Sequence, residues 1–315
     1  MNCAPIVVFT YARPEHTRKM LDALAGNIGS GESRLFIFCD GPKNEKTVEK
    51  NREVRRIIED EKTKNRFLSV TAFLSEKNNG LAKSVISGVD KIIHEYGSCI
   101  VVEDDLITSK YFLQYMNECL AFFKNDKTIW SISGFTYALR SLKNYPHDVY
   151  LSYRACSHGW ATWVDRWELT DWEVRDFKAL SRSVVKRHNF KRGGNDLYRM
   201  LRHQMRGERD SWAIRFCYSQ SKNGMYCIYP KHTLVKNIGF DGSGTHCSNA
   251  TTKRNIGELY EEAPLRIEAV EKDAKILREF KKQYRVTFKS AVKWVLAKAR
   301  EKLASRFGNL PVKSR

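Results

Sequence analysis

Three consecutive acids, Glu103, Asp104 and Asp105, end the apolar run that begins at Cys99. Like charges crowded at the end of such a run repel one another and raise one another's pKa. A divalent cation relieves that repulsion, because Mg²⁺ or Mn²⁺ prefers carboxylate oxygen and also bridges phosphate oxygens. Acids are equally at home in the N-cap and first turn of a helix, where the dipole favours negative charge. A helical pattern over 111–123 lies close enough to admit that use as well. On the local pattern alone both uses stay open.

Other residues suit a phosphorylated ligand, each with a plainer role beside it. Arg13 follows the first apolar run and precedes Pro14, where it can meet phosphate or sit on a solvated loop. Asp40, in Phe38-Cys39-Asp40-Gly41-Pro42, can accept hydrogen bonds from a base or ribose, or form an ordinary Asx-turn. The segment Asn79-Gly80-Leu81-Ala82-Lys83 opens a helix whose free N–H groups, with Lys83, suit an anion, and it also reads as a simple helix start. In Arg209-Asp210-Ser211-Trp212 a carboxylate adjoins a large aromatic. Asp210 there suits a general base and Trp212 a sugar-stacking platform; the alternative is a capping Asp210 on a helix that packs Trp212 and Phe216 inward. The Gly-rich run from Gly239 to Thr245 ends in His246, a candidate metal ligand or phosphate donor, or an exposed loop histidine.

These residues need elements to place them. Apolar runs at 6–10, 35–39, 70–74 and 100–102 read as buried strands, and amphipathic stretches at 15–25, 45–64 and 81–95 as helices. The alternation implies an α/β domain with a doubly wound, mostly parallel sheet, whose ligand crevice lies beyond the strands' carboxyl ends. Asp40 and the acidic triplet both fall at such ends. From 110 to about 265 the pattern is mixed and reads as a region closing over a ligand rather than as a second core. From 268 it turns helical and basic. The expected organisation is a catalytic domain over 1–267, divided at 109/110 into nucleotide-binding and acceptor-side halves, then a basic helical tail over 268–315.

The bulk composition narrows the classes. With 315 residues, 42% hydrophobic and 12% aromatic, global disorder is excluded. No run of about eighteen apolar residues suggests a spanning helix. The N-terminus enters Ile6-Val7-Val8-Phe9 without the basic region and cleavage site of a signal peptide, and the eight cysteines contain no CxxC pair. A cytoplasmic protein with reduced thiols is therefore expected. The net charge of +19 is concentrated at the end: residues 272–306 carry twelve Lys or Arg against three acids.

Taken in order, these segments resemble the GT-A glycosyltransferases, and within them the N-acetylglucosaminyltransferase I-like group, whose bacterial relatives serve surface-polysaccharide synthesis. The match is densest from Ile100 to Trp130 and Gly134. It continues through Ser157-His158-Gly159-Trp160, Asp210-Ser211-Trp212, Ile228-Tyr229-Pro230 and Gly242 to His246, covering residues 4–250. The resemblance implies Asp105 as direct ligand of Mn²⁺ or Mg²⁺, with Glu103 and Asp104 orienting the metal shell and ribose. It implies Arg13 and Asp40 at the nucleotide, His246 in a loop over the donor, and Trp160 with Trp212 on the acceptor side. Asp210 matches the family's catalytic base.

The expected reaction is an inverting transfer from a nucleotide-diphosphate sugar, a UDP-sugar above all, to a glycan or lipid-linked acceptor. The tail offers an apolar stripe over 288–307 with cationic edges, which suits an anionic membrane surface and a peripheral location on its inner face. Docking on the catalytic domain is the alternative for it. A sugar nucleotidyltransferase would want glycines after the first strand, where Thr10-Tyr11-Ala12-Arg13-Pro14 has none. A nucleic-acid-binding protein would account for the charge but not for the acids, so no nucleic-acid partner is expected.

Overall fold

The computed structural model describes residues 3–239 and 257–284. Strands β1 (Ile6–Thr10), β2 (Arg34–Cys39), β3 (Ser69–Leu74) and β4 (Ser98–Glu103) alternate with helices α1 (Pro14–Ala25), α2 (Glu45–Thr63) and α3 (Leu81–Tyr96). They pair in parallel in the order β3-β2-β1-β4. Alternation along β1 explains why helices cover both faces. Ile6 and Val8 join a core with Met20 and Leu21 of α1 and Ile57 of α2. Val7 and Phe9 face Val85, Val89 and Ile92 of α3 on the other side. Gly88 lets α3 press close, since a β-carbon there would stand 2.7 Å from the Phe9 ring.

Past the triplet come β5 (Leu106–Thr108), α4 (Phe112–Phe122), β6 (Ile129–Ser133), β7 (Val149–Ser152), β8 (Trp160–Trp163), β9 (Tyr226–Pro230) and β10 (Val235–Asn237). Four of these extend the sheet to eight strands in the order β3-β2-β1-β4-β8-β6-β9-β7, with β8 and β7 running against the rest. The second half of the chain is thus no mere covering region; it supplies half of the main sheet. Its strands are four or five residues long and rich in Trp and Tyr, too short to show a clear period in sequence. The fold is α/β with a doubly wound, mostly parallel sheet, as expected.

Two further expectations carry alternatives. The acids do not cap α4, because β5 intervenes and pairs antiparallel with β10. The other concerns the tail, whose first helix packs against the residues before 267. Helix Ala274–Gln283 buries Ile276 and Phe280 in a cluster with Tyr137, Tyr150 and Tyr229. Glu279 accepts the backbone N–H groups of Arg140 and Ser141 at 2.8 Å each, and the Arg154 guanidinium lies 3.7 Å from the Tyr284 ring centroid. The basic start of the tail thus docks on the domain, the alternative left open for it, and the stripe over 288–307 lies outside the described residues. Among the described residues no helix is long and apolar enough to cross a membrane.

Candidate active site

The parallel register sets Phe9 beside Glu103, and the Asp104 N–H donates to the Phe9 carbonyl at 3.1 Å. The chain leaving β1 therefore passes directly over the acids that end β4. Pro14 at the first position of α1 fixes where the helix begins, leaving Arg13 just ahead of it. From there Arg13 Nη2 meets Asp104 Oδ1 at 2.8 Å and Nη1 meets Asp105 Oδ2 at 3.2 Å. Asp104 and Asp105 are buried, and Glu103 is half-buried.

One guanidinium cannot balance three carboxylates in that setting. Burial, reinforced by Asp105 and Asp104 and opposed by Arg13, pushes the Glu103 pKa up to about 8. Burial also pushes Asp104 up to about 7, against the pull of Arg13. Burial disfavours the Arg13 cation, yet Asp104, Asp105 and Glu103 outweigh it and raise its pKa. Ionising all three acids at once would leave an excess of negative charge, which a further cation would relieve.

Its oxygen donors suit Mg²⁺ or Mn²⁺. Among the described residues no three acidic, histidine or cysteine side chains are grouped so as to hold a metal ion by themselves. Carboxylates of this kind fit a cation that completes its shell with water and substrate phosphate oxygens.

The backbone after β10 forms the other wall. The Ile238 N–H donates to the Asp105 carbonyl at 2.8 Å, and the Gly239 N–H to Asn237 Oδ1 at 2.8 Å. A β-carbon on Gly239 would overlap the Asp105 carboxylate and stand 2.9 Å from Arg13 Nη1, so only glycine fits this close approach. His246, further along, lies outside the described residues.

Asp40 sits at the neighbouring strand end, but its carboxylate is occupied. It accepts the backbone N–H of Asn79 at 2.8 Å and of Gly80 at 2.9 Å, besides that of Gly41 in its own turn. Asp40 thus ties β2 to the start of α3, whose N-cap Gly80 has no side chain to do so. A cleft of about 400 Å³ opens beside it, lined by Phe38, Phe73, Ser75, Asn79 and Ser84. Lys83 lies exposed in the first turn of α3.

Sequence reasoning missed Asn51, which braces these loops from α2. Its Nδ2 donates to the Tyr11 carbonyl at 2.8 Å and the Asp40 carbonyl at 2.7 Å, while Arg55 Nε holds its Oδ1 at 2.9 Å. A signal was present: Asn51, Val54 and Ile58 share one helical stripe, so an amide stands where apolar residues belong.

The residues expected on the acceptor side separate. Trp160 lies opposite Val101 of β4, two residues short of Glu103, and Trp212 stacks on it with centroids 4.9 Å apart. Both rings are buried, packed with Trp167 and Phe216, so neither has a face for a sugar. Their expected role as acceptor platforms is corrected: they form the floor under the carboxyl edge of β4. That floor brings the start of helix Trp212–Lys222 toward this edge, with Asp210 just before it. Asp210 is not the cap, since Ser211 holds that position. Its side chain is 65% exposed, and Oδ1 is held by Arg215 Nη2 at 2.9 Å. Arg215 itself is fixed by the Ser211 and Trp172 carbonyls.

Fold and site together define an α/β protein with an acid-rich crevice at the carboxyl edge of a doubly wound sheet. No family model and no curated protein matches the chain. Among solved structures it is similar to S. aureus TarS, at 17% identity and a TM-score of 0.32, over 41% of this chain and 21% of that one. It is also similar to S. aureus TarS 1-349 in complex with UDP, at 15% identity and a TM-score of 0.30, over 41% of this chain and 34% of that one. The matched part spans about a fifth and a third of those chains. At such overlap neither likeness bears on the chemistry, which rests on this chain's own residues.

Proposed function

We propose that this protein is a metal-dependent, inverting glycosyltransferase of the GT-A kind, moving a sugar from a nucleotide-diphosphate donor to a glycan or lipid-linked acceptor. The observation that carries the reading is the crowding of three acids, two of them with raised pKa, beside the single guanidinium of Arg13. Such a site suits a cation and a diphosphate arriving together. Asp105, with Glu103 and Asp104 around it, would hold Mn²⁺ or Mg²⁺, which supplies charge neutralisation for the departing diphosphate. Arg13, already poised between two carboxylates, can turn its guanidinium to phosphate once they have another partner. Asp40 and Asn51 keep the strand-end loops in place beside the cleft that suits the base and ribose.

Asp210 is the proposed general base. As the acceptor oxygen bonds to the anomeric carbon, the bond from that carbon to the diphosphate oxygen breaks, and the hydroxyl proton passes to the Asp210 carboxylate. Arg215 orients that carboxylate. A UDP-sugar donor, a role in surface-polysaccharide synthesis and a place on the inner membrane face complete the proposal. A panel of nucleotide sugars tests it, read by thermal shift and donor hydrolysis with Mn²⁺ or with EDTA. At least one donor should stabilise the protein and be hydrolysed only with the metal present. No stabilisation by any member, with or without metal, overturns the reading.

A further inference from the structure

The charge that needs explaining is not confined to the tail. Residues 175–209 hold eleven Lys or Arg against three acids. Those acids do little to neutralise the stretch. Asp176 pairs with Lys222 and Asp196 with Arg154, both outside it, and only Glu208 pairs within it, with Arg206 and His203. Among the described residues Lys178, Arg182, Lys186, Arg202 and Arg209 make no ion pair.

Within this basic surface stand the two most exposed large apolar side chains of the described residues, Val184 at 71% and Val185 at 68%. They open the short helix Val184–Phe190, capped by Ser183, whose Oγ accepts the Lys186 N–H at 3.2 Å. Phe190, at the helix's other end, is buried against Tyr218 with ring centroids 5.3 Å apart. At 100° per residue the valines lie on the side of the helix away from Phe190. The preceding helix Phe177–Arg182 likewise buries Leu180 and leaves Lys178 and Arg182 exposed. The anchored side chains are buried, while the adjacent valine pair and, near it in the chain, Lys178, Arg182 and Lys186 are exposed.

We infer that this surface docks the protein on an anionic lipid bilayer, with Val184 and Val185 entering the headgroup layer and the surrounding cations pairing with lipid phosphates. Charge complementarity selects a polyanion. The valine pair selects the bilayer, because a soluble phosphate polymer offers no apolar layer to receive it. Phe190 also ties the surface to the body of the domain: Tyr218 belongs to the helix that begins at Trp212, on the floor of the acidic crevice. The docking does not depend on the transfer reaction and is measured without a donor.

The experiment uses the full chain and sedimentation with vesicles of phosphatidylglycerol or of phosphatidylcholine at low and high salt. Wild type should bind phosphatidylglycerol, weaken as salt rises, and ignore phosphatidylcholine. Val184→Ser with Val185→Ser, and separately Arg182→Gln with Lys186→Gln, should each weaken binding about tenfold. All four side chains are exposed, so thermal unfolding should match wild type, which keeps a loss of binding distinct from a loss of fold. Absent binding by wild type, or unchanged binding by both variants, overturns the inference. If only the charge variant weakens, and soluble polyphosphate competes fully, the surface belongs to an anionic polymer and the bilayer assignment is wrong.

Discussion

Asp40 Oδ2 accepts the backbone N–H of Gly80 at 2.9 Å, joining the carboxyl end of β2 to the start of α3. The same carboxylate takes the Asn79 N–H at 2.8 Å. Its removal in Asp40→Ala leaves both donors without their partner, at a cost of about 1–3 kcal/mol. The thermal midpoint should fall accordingly, and Asp40→Asn, which keeps one acceptor oxygen, should fall between. An unchanged midpoint with weakened donor binding would instead give Asp40 wholly to the nucleotide.

The triplet should leave a pH signature. Folded Glu103 titrates at about 8 because of burial and then Asp105 and Asp104, against an ordinary 4.5. The folded state thus binds the proton more tightly than the unfolded one, so this group's contribution is fully present below about pH 4.5 and is lost as pH rises through about 8. Glu103→Gln cannot ionise. In EDTA its thermal midpoint should rise relative to wild type between about pH 5 and pH 8, and Mn²⁺ should narrow the difference. A difference that stays flat across that range shows that Glu103 ionises freely in the folded protein.

Much of the fold was legible in the residues alone. The runs ending at Thr10, Cys39, Leu74 and Glu103 are largely apolar, so these four strands and the mostly parallel, doubly wound class followed from residue type. The triplet and Arg13 were readable as partners of one ligand because parallel pairing brings strand ends together. Tertiary facts were not readable. Trp160 and Trp212 carry the same indole whether they meet a sugar or each other, and only the register of β8 against β4 decides. Nor does any local pattern reveal that the Asp40 carboxylate is used by a loop thirty-nine residues away. Helix Ala274–Gln283 looked like the start of a basic tail because its cations outnumber the two anchors, Ile276 and Phe280, that seat it.

Asp105 is the carboxylate assigned to the cation, and Asp105→Ala should abolish stabilisation by Mn²⁺ and metal-dependent donor binding. Outer partners of a metal typically contribute about 10–100-fold in affinity, so a direct ligand should cost at least that. Arg13 retains Asp104, which should preserve the fold. Full donor affinity in the variant, with EDTA harmless to wild type, would remove the metal from the mechanism.

Asp210→Asn should spare donor binding and lower turnover by about a hundredfold or more, the effect of losing a general base. Arg215→Lys keeps the charge but not the guanidinium fork that holds Asp210 Oδ1, so its turnover should fall less and its donor binding stay unchanged. Turnover unaffected in Asp210→Asn returns that residue to an exposed ion pair, and the inverting assignment loses its support.

Two truncations separate the docked helix from residues 285–315. Ending the chain at Glu271 removes Phe280 from its cluster with Tyr137, Tyr150 and Tyr229, and with it Ile276, Tyr284 and the carboxylate that holds the N–H groups of Arg140 and Ser141. Loss of one buried phenylalanine side chain alone costs about 3–5 kcal/mol, a large share of a typical domain's stability. That truncation should therefore lower the thermal midpoint steeply or yield insoluble protein, and Phe280→Ala should reproduce a good part of the loss. Truncation after Tyr284 keeps every one of those contacts and should unfold as the full chain does, with donor hydrolysis retained. Comparing that shorter protein with the full chain on phosphatidylglycerol vesicles then isolates what residues 285–315 add to membrane binding. If the protein ending at Glu271 unfolds at the full-length midpoint, the helix is a passive passenger and the domain boundary at 267 stands.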